Sequence, residues 1–147
     1  MYAFVDRPVE CLCNGGRFLL WAMRGWAQAV ERGTCPTMAL ARGFTGLGAM
    51  AMLPDFHIAM ALLNRDGRDK IAVAPMKCLH IVEDEAILIG IWRDLSLGDI
   101  DRARATLKLM VSDDAVMPIS RTMITATAKL LLAGFDLSGL PHAVSGS

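Results

Sequence analysis

Residues 82–99, VEDEAILIGIWRDLSLGD, decide the fold class. The acidic trio at 83–85 stands where the dipole of a helix favours negative charge. The run from Ala86 to Trp92 that follows is apolar on every side, which is typical of a helix buried at the centre of a bundle or in an interface. Gly98 and Asp99 then predict a tight turn, with Asp99 as the N-cap of another helix. The stretch therefore predicts a central helix joined closely to the next one.

Proline and glycine mark the ends of the other apolar stretches. Proline suits the first turn of a helix, where its missing N–H would be unpaired anyway, and glycine suits the residue just past the end. With this punctuation, the apolar spacing predicts helices over about 17–32, 36–47, 54–64, 82–97, 100–110 and 118–133. The expected fold is all-α: a single compact bundle of five to six short helices at mixed crossing angles.

The first of these helices carries one continuous apolar stripe. Its members recur at helical spacing: Leu19, Met23, Trp26 and Val30. The polar residues of the same stretch are expected on the opposite side: Arg17, Arg24, Gln28 and Glu31.

The remaining segments set the expected domain organisation. Residues 1–14 form an N-terminal arm, residues 15–135 the helical domain and residues 136–147 a C-terminal tail that is small and polar. Residues 70–75, KIAVAP, have β-like character but are too isolated to build a sheet. We therefore expect one extended connector near 70–81.

Composition narrows the class of protein. Fifteen basic and fifteen acidic residues give a formal net charge of zero, which argues against a main task of gripping nucleic acid or an anionic membrane. The longest stretch without a charge, residues 43–54, is too short to cross a bilayer. The N-terminus lacks a basic start followed by an apolar run, so we expect a cytoplasmic protein with its four cysteines reduced.

Cysteine and histidine are the residues best suited to chemistry. Cys11, Cys13, Cys78 and His80 would supply the four thiolate and imidazole ligands of a closed zinc site. A single intervening residue within each pair strains such a chelate, however, and cysteine is often buried as a small hydrophobe. We favour buried or incidental thiols over zinc, with redox use as a third alternative.

Cys35 is a separate candidate for a reactive thiol. It precedes Pro36 at a predicted helix start, where main-chain N–H groups and the helix dipole lower the pKa of a thiol. The alternative is a cysteine tucked under the first turn of the helix.

Other catalytic and binding patterns are weak in this sequence. It contains neither Gly-x-Ser-x-Gly nor a glycine-rich phosphate loop followed by lysine, and no catalytic residue is assigned. Gly15 and Gly16 before the first helix suit an anion site or a flexible entry. Arg65, Arg68 and Lys70 resemble a basic DNA-binding wing, although neighbouring aspartates cancel most of the charge.

Two stretches carry a resemblance to a known family. Residues 17–24, RFLLWAMR, and residues 71–78, IAVAPMKC, followed by DEAIL at 84–88, resemble an uncharacterised family of small alphaproteobacterial proteins with a domain of unknown function. Members of that family show adjacent cysteines just after Val-Ala-Pro, where this chain has Met76 and Lys77 and keeps Cys78. The resemblance implies a bacterial cytoplasmic origin and supplies no activity. It also implies that any metal or redox cluster at this place is lost here.

The sequence favours a non-enzymatic protein-interaction or regulatory module. Ten methionines and the all-round apolar face of the fourth helix suggest adaptable contact surfaces, which suit a homodimer or a helical protein partner. The alternative from another class is a thiol- or metal-dependent protein that uses the loop cysteines and histidine. A DNA-binding regulator is the third alternative.

Overall fold

The structure, a computed structural model, describes residues 8–137, and six α-helices form most of that range. They are α1 (Asn14–Arg32), α2 (Pro36–Gly46), α3 (Leu53–Asp66), α4 (Glu83–Ser96), α5 (Ile100–Met110) and α6 (Val116–Leu132). Between residues 8 and 137 the β-structure is limited to two isolated bridges. The all-α prediction is therefore confirmed. None of the helices in this part of the chain has the length and apolar character needed to span a bilayer.

Helix α4 lies at the centre of the bundle, as its apolar run predicts. It packs against α1, α5 and α6. The side chains of Leu88, Ile89, Ile91 and Trp92 are buried. The α4–α5 turn also follows the prediction, since Asp99 accepts a hydrogen bond from the N–H of Arg102 at 3.4 Å. Gly98 sits in the left-handed region at φ 80°, which a residue with a Cβ would adopt at a cost.

A row of aromatic side chains ties four helices together. Phe18 of α1 meets Phe44 of α2 edge to face, with ring centroids 4.8 Å apart. Phe44 in turn contacts Phe56 of α3, which stacks on Trp92 of α4. All four rings are buried, and such pairs add stabilisation beyond their area alone. This row fixes the positions of α1, α3 and α4, the helices that frame the site described below.

The N-terminal segment packs against the connector. Pro8 forms an antiparallel bridge with His80, and the N–H of Val9 donates to the carbonyl of Leu79 at 2.9 Å. The connector is non-helical from residue 70 to residue 82, as predicted.

The C-terminal segment covers the start of α1. Leu137 is fully buried, and the thiol of Cys13 donates to the carbonyl of Asp136 at 2.7 Å. A Cβ at Gly15 would collide with that same carbonyl, so close packing accounts for this glycine. The domain limits drawn at residues 14 and 135 stay a prediction, although the segments on both sides contact the helical body.

Two positions of α1 are corrected by the structure. Val30, expected in the apolar stripe, is 42% exposed and lines an open cleft. Arg24 was expected opposite the apolar stripe of α1, but its residue is 4% exposed. The expectation is wrong because a buried carboxylate from α4 receives the guanidinium, and Leu20 and Ala27 extend the apolar surface around it.

Asp94 near the end of α4 yields a stability prediction. Its side chain is buried beside Arg93, and burial raises the pKa of Asp94 above its ordinary value. A carboxyl whose pKa is higher in the folded than in the unfolded state contributes most stability at low pH. That contribution is lost as pH rises through the folded-state pKa. We expect Asp94→Asn to raise Tm at pH 7 by about 2 °C and to change it little at low pH.

Thermal unfolding followed by circular dichroism at pH 7 and at acid pH measures this effect. Asp69→Asn, at an exposed position, serves as the control and should leave Tm unchanged at both pH values. A lower Tm for Asp94→Asn at pH 7 would contradict the assignment.

Candidate functional site

The site is organised by a buried ion pair between Arg24 of α1 and Glu85 of α4. The guanidinium Nε donates to Glu85 Oε2 at 2.7 Å, and Nη2 donates to Oε1 at 2.9 Å. The two side chains are 3% and 0% exposed. Hydrogen bonding to Glu85 raises the pKa of Arg24 further above its ordinary value, so the guanidinium stays charged.

The same two side chains hold the connector from Ala74 to Val82. Arg24 Nη1 donates to the carbonyl of Cys78 at 2.7 Å, and Nη2 donates to that of His80 at 2.8 Å. The carboxylate of Glu85 accepts the N–H groups of Ala74 and Val82, each at 3.0 Å. Both buried charges are therefore well satisfied, which is the condition under which a buried pair is tolerated.

The acidic trio at 83–85 thus does more than favour the helix dipole. Asp84 Oδ2 accepts the N–H of Ala72 at 2.7 Å, just as Glu85 accepts that of Ala74. Two N–H groups that are two residues apart point to the same side, as in an extended strand. Within the described chain the N–H and C=O groups of Ile71 and Val73, the residues on either side of Ala72, make no hydrogen bond.

A cleft opens between this extended segment and the helices. Its volume is about 410 Å³. Helices α1 and α3, one residue of α4 and the connector supply the lining, which is mostly apolar: Trp26, Ala27, Val30, Glu31, Met60, Leu63, Asn64, Lys70, Ile71, Ala72, Val73 and Leu88. Trp26 is fixed in this wall because its Nε1 donates to His57 Nδ1 at 3.0 Å.

Opposite charges stand at the two ends of the cleft. Lys70 and Ile71 line both the cleft and a groove of about 200 Å³ that continues towards Arg68. Glu31 and Val73 line both the cleft and a groove of about 190 Å³ that continues towards Pro75. Lys70 and Glu31 are exposed and form no ion pair within residues 8–137. Lys70 and Glu31 are the charged residues that line the cleft itself, and they differ in sign. The adjoining grooves carry both signs, with Asp69, Glu83 and Asp84 in the groove beside Lys70 and Arg24 and Arg32 in the groove beside Glu31.

The predicted zinc ligands are brought together in part. The bridge between Pro8 and His80 places the segment that precedes Cys13 beside the connector, but the side chain of Cys11 lies outside the described part of the structure. The thiols of Cys13 and Cys78 are directed to main-chain carbonyls. Among the side chains that are described, no three of His, Cys, Asp or Glu cluster to hold a metal. The four-ligand zinc site stays a prediction.

Cys35 lies at the N-cap of α2, as the Cys-Pro pattern predicts. It is exposed, so the alternative of a cysteine tucked under the first turn is wrong. Its sulfur lies 3.1 Å from the hydroxyl of Thr37. This hydrogen bond lowers the pKa of Cys35, and the main-chain N–H groups of Met38 and Thr37 add to the effect. Exposure and a lowered pKa are the conditions for a reactive thiol.

The basic loop after α3 is neutralised by neighbouring carboxylates. Arg65 donates to Asp66, and Arg68 donates to Asp113 at 2.9 Å. Lys70, the third basic residue, instead faces the cleft.

Sequence reasoning identified Cys35 and the connector but missed the Arg24–Glu85 pair and the cleft. A signal for the pair was present, since Leu20 and Ala27 share a helical face with Arg24 and predict an apolar surrounding. The partner 61 residues further along the chain left no local signal. The cleft is formed by residues from four separate segments, which no spacing within one segment reveals.

Comparison with family models, with curated proteins and with solved structures gave no match. Function is therefore inferred from the site itself.

The lowered pKa of Cys35 gives a prediction about thiol reactivity. We expect iodoacetamide at pH 7 to alkylate Cys35 faster than Cys13 or Cys78, with peptide mass spectrometry as the readout. In Thr37→Val the thiolate loses its main hydrogen bond, so the midpoint of the pH–rate profile should move to higher pH and the rate at pH 7 should fall.

Thr45→Val, at an exposed position of the same helix, is the matched control and should react like the parent protein. An unchanged pH–rate profile in Thr37→Val would show that the hydroxyl does not act on the thiol.

Proposed function

We propose that this protein is a non-enzymatic interaction module with a regulatory role, and that it recognises its partner molecule through the cleft between α1, α3, α4 and the connector. The observation that carries the proposal is the cleft itself: a preformed concave surface of about 410 Å³ with apolar walls and a charge at each end. Ligand sites commonly have this size and this mixture of groups.

The rigidity of the walls supports binding. Trp26 is hydrogen-bonded to His57, and the connector is anchored to α4 through Asp84 and Glu85. A ligand that enters such a cleft loses little affinity to reordering of the protein, because the walls are already in place.

A regulatory role follows from what the connector touches. One end of the connector lines the cleft, and the other pairs with the N-terminal segment at Pro8 and Val9. A ligand bound between the connector and the helices would stabilise the connector, and with it this pairing, against local opening. Occupancy of the cleft would thus be communicated to the start of the chain.

Only some of the methionines are available for contacts with a partner, because several of them are buried in the core. Among those described, Met23, Met52, Met60 and Met123 are buried. Met38, Met50 and Met117 are exposed, and Met60 lines the cleft. A homodimer or a helical partner stays a prediction.

A thiol-based function is the second candidate, and the lowered pKa of the exposed Cys35 favours it. This residue lies at the start of α2, whereas the cleft uses α1, α3, α4 and the connector. The two functions can therefore be separated by mutation.

Binding of the dye 1-anilinonaphthalene-8-sulfonate tests the cleft. We expect the folded protein to bind this apolar anion at one site, with a rise in dye fluorescence. Ala27→Phe places a ring in the cleft and should weaken binding by about tenfold or more, because the apolar volume is already filled.

Ala105→Phe adds the same ring at an exposed position of α5 and should bind the dye like the parent protein. If Ala27→Phe folds normally and binds the dye as tightly as the parent protein, the cleft is not the binding site and the proposal fails.

A further inference from the structure

The ligand class of this cleft follows from the unpaired main chain along its wall, and the inference rests on the function proposed above. We infer that the cleft binds a short peptide in extended conformation, with free termini, which adds as an antiparallel strand to residues 70–74.

In residues 71–74 of the connector, the main-chain N–H groups are hydrogen-bonded at every second residue. Ala72 and Ala74 direct their N–H groups to carboxylates of α4 at 2.7 and 3.0 Å. In an extended chain successive residues direct their main-chain groups to opposite sides, so Ile71 and Val73 present two N–H and two C=O groups away from α4. Within the described chain none of these four groups is hydrogen-bonded. A row of unpaired groups of this kind is a template for an added strand.

The unpaired edge of the connector is short. Proline cannot donate to a ladder, and a lysine discourages edge-to-edge association. Pro75 and Lys70 stand at the two ends of the segment and limit the edge to about two pairing residues. The edge therefore suits a short peptide rather than a long strand or a second copy of the connector.

An apolar volume lies beside this edge of the connector. Ile71 and Val73 line the cleft together with Trp26, Met60 and Leu88. Side chains of a paired strand alternate between its two faces, so every second side chain of the peptide would enter this apolar space. Main-chain hydrogen bonds would supply affinity, and the cleft would select apolar side chains.

The charges at the ends of the cleft set the direction of the peptide. An antiparallel strand runs from Val73 towards Ile71, so its C-terminal carboxylate lies next to Lys70 and its amine lies towards Glu31. Both contacts pair opposite charges. A parallel strand would place its amine next to Lys70, and like charges disfavour that arrangement.

Titration with the tripeptide Val-Ala-Leu tests the inference, with dye displacement and calorimetry as readouts. We expect a Kd below about 1 mM for the free tripeptide. Amidation of its C-terminus should weaken binding by about fivefold, since one exposed charge pair is lost.

N-methylation of the peptide tests the strand pairing itself. Two consecutive N–H groups point to opposite sides of an extended chain, so methylation of one of the two nitrogens, that of Ala or that of Leu, should cost about tenfold. Methylation of the other should cost less than about twofold. If methylation of either nitrogen changes the affinity of the peptide by the same factor, the proposed strand pairing is wrong. This experiment changes only the peptide, so a folding defect of a protein variant cannot affect its result.

Two variants test the direction. Lys70→Met should weaken binding of the tripeptide with a free carboxylate by about fivefold and leave binding of the C-terminal amide unchanged. Lys77→Met, at an exposed lysine outside the cleft, should change the binding of neither peptide. Glu31→Gln should weaken binding of the peptide with a free amine and leave binding of the N-acetylated peptide unchanged. If Lys70→Met weakens the acid and the amide equally, the antiparallel assignment is wrong.

The outcomes separate this inference from the function on which it rests. If Ala27→Phe abolishes dye binding but the tripeptide does not bind at about 1 mM, the peptide inference fails and the cleft remains the binding site. If Ala27→Phe has no effect on dye binding, both fail.

Discussion

The buried ion pair between Arg24 and Glu85 is the interaction on which the connector and the cleft depend. Neither charge would be stable alone in this environment, and loss of one partner from such a pair costs about 3–5 kcal/mol. Each partner also forms hydrogen bonds to the connector. Glu85 accepts the N–H groups of Ala74 and Val82, and Arg24 donates to two main-chain carbonyls. The pair therefore fixes the connector from Ala74 to Val82, and Asp84 fixes the part that forms the wall of the cleft through Ala72.

A fixed wall has two consequences for recognition. It keeps an apolar cleft open between α1 and α3, where a mobile segment would collapse onto Trp26 and Met60. It also directs the N–H groups of Ala72 and Ala74 to α4 and leaves the main-chain groups of Ile71 and Val73 unpaired, which is the basis of the proposed strand pairing. Lys70 and Glu31 then distinguish the two ends. Shape, hydrogen bonding and charge at this site all follow from how the connector is held.

The helices could be predicted because their signals are local. The apolar run of α4, the proline in the first turn of α2 and the Asp99 cap each act within a few residues. Arg24 could not be placed, because its burial depends on a carboxylate that the chain brings to it from α4. Cys35 was predicted at a helix start, but its exposure was not, because a cysteine tucked under the first turn fits the same sequence. The extended connector was predicted, but which of its main-chain groups stay unpaired depends on contacts with Asp84 and Glu85 that the sequence does not reveal.

Hydrogen exchange of the connector amides, resolved by NMR in the unmodified protein, tests most directly whether Glu85, the buried partner of Arg24, and its neighbour Asp84 hold the connector. If the carboxylates of Asp84 and Glu85 hold the segment, the amides of Ala72 and Ala74 exchange slowly, and those of Ile71 and Val73 exchange close to the rate of an unfolded chain. The amide of Val82 should be as protected as that of Ala74, because both donate to Glu85. Rapid exchange at Ala74 and Val82 would contradict the account.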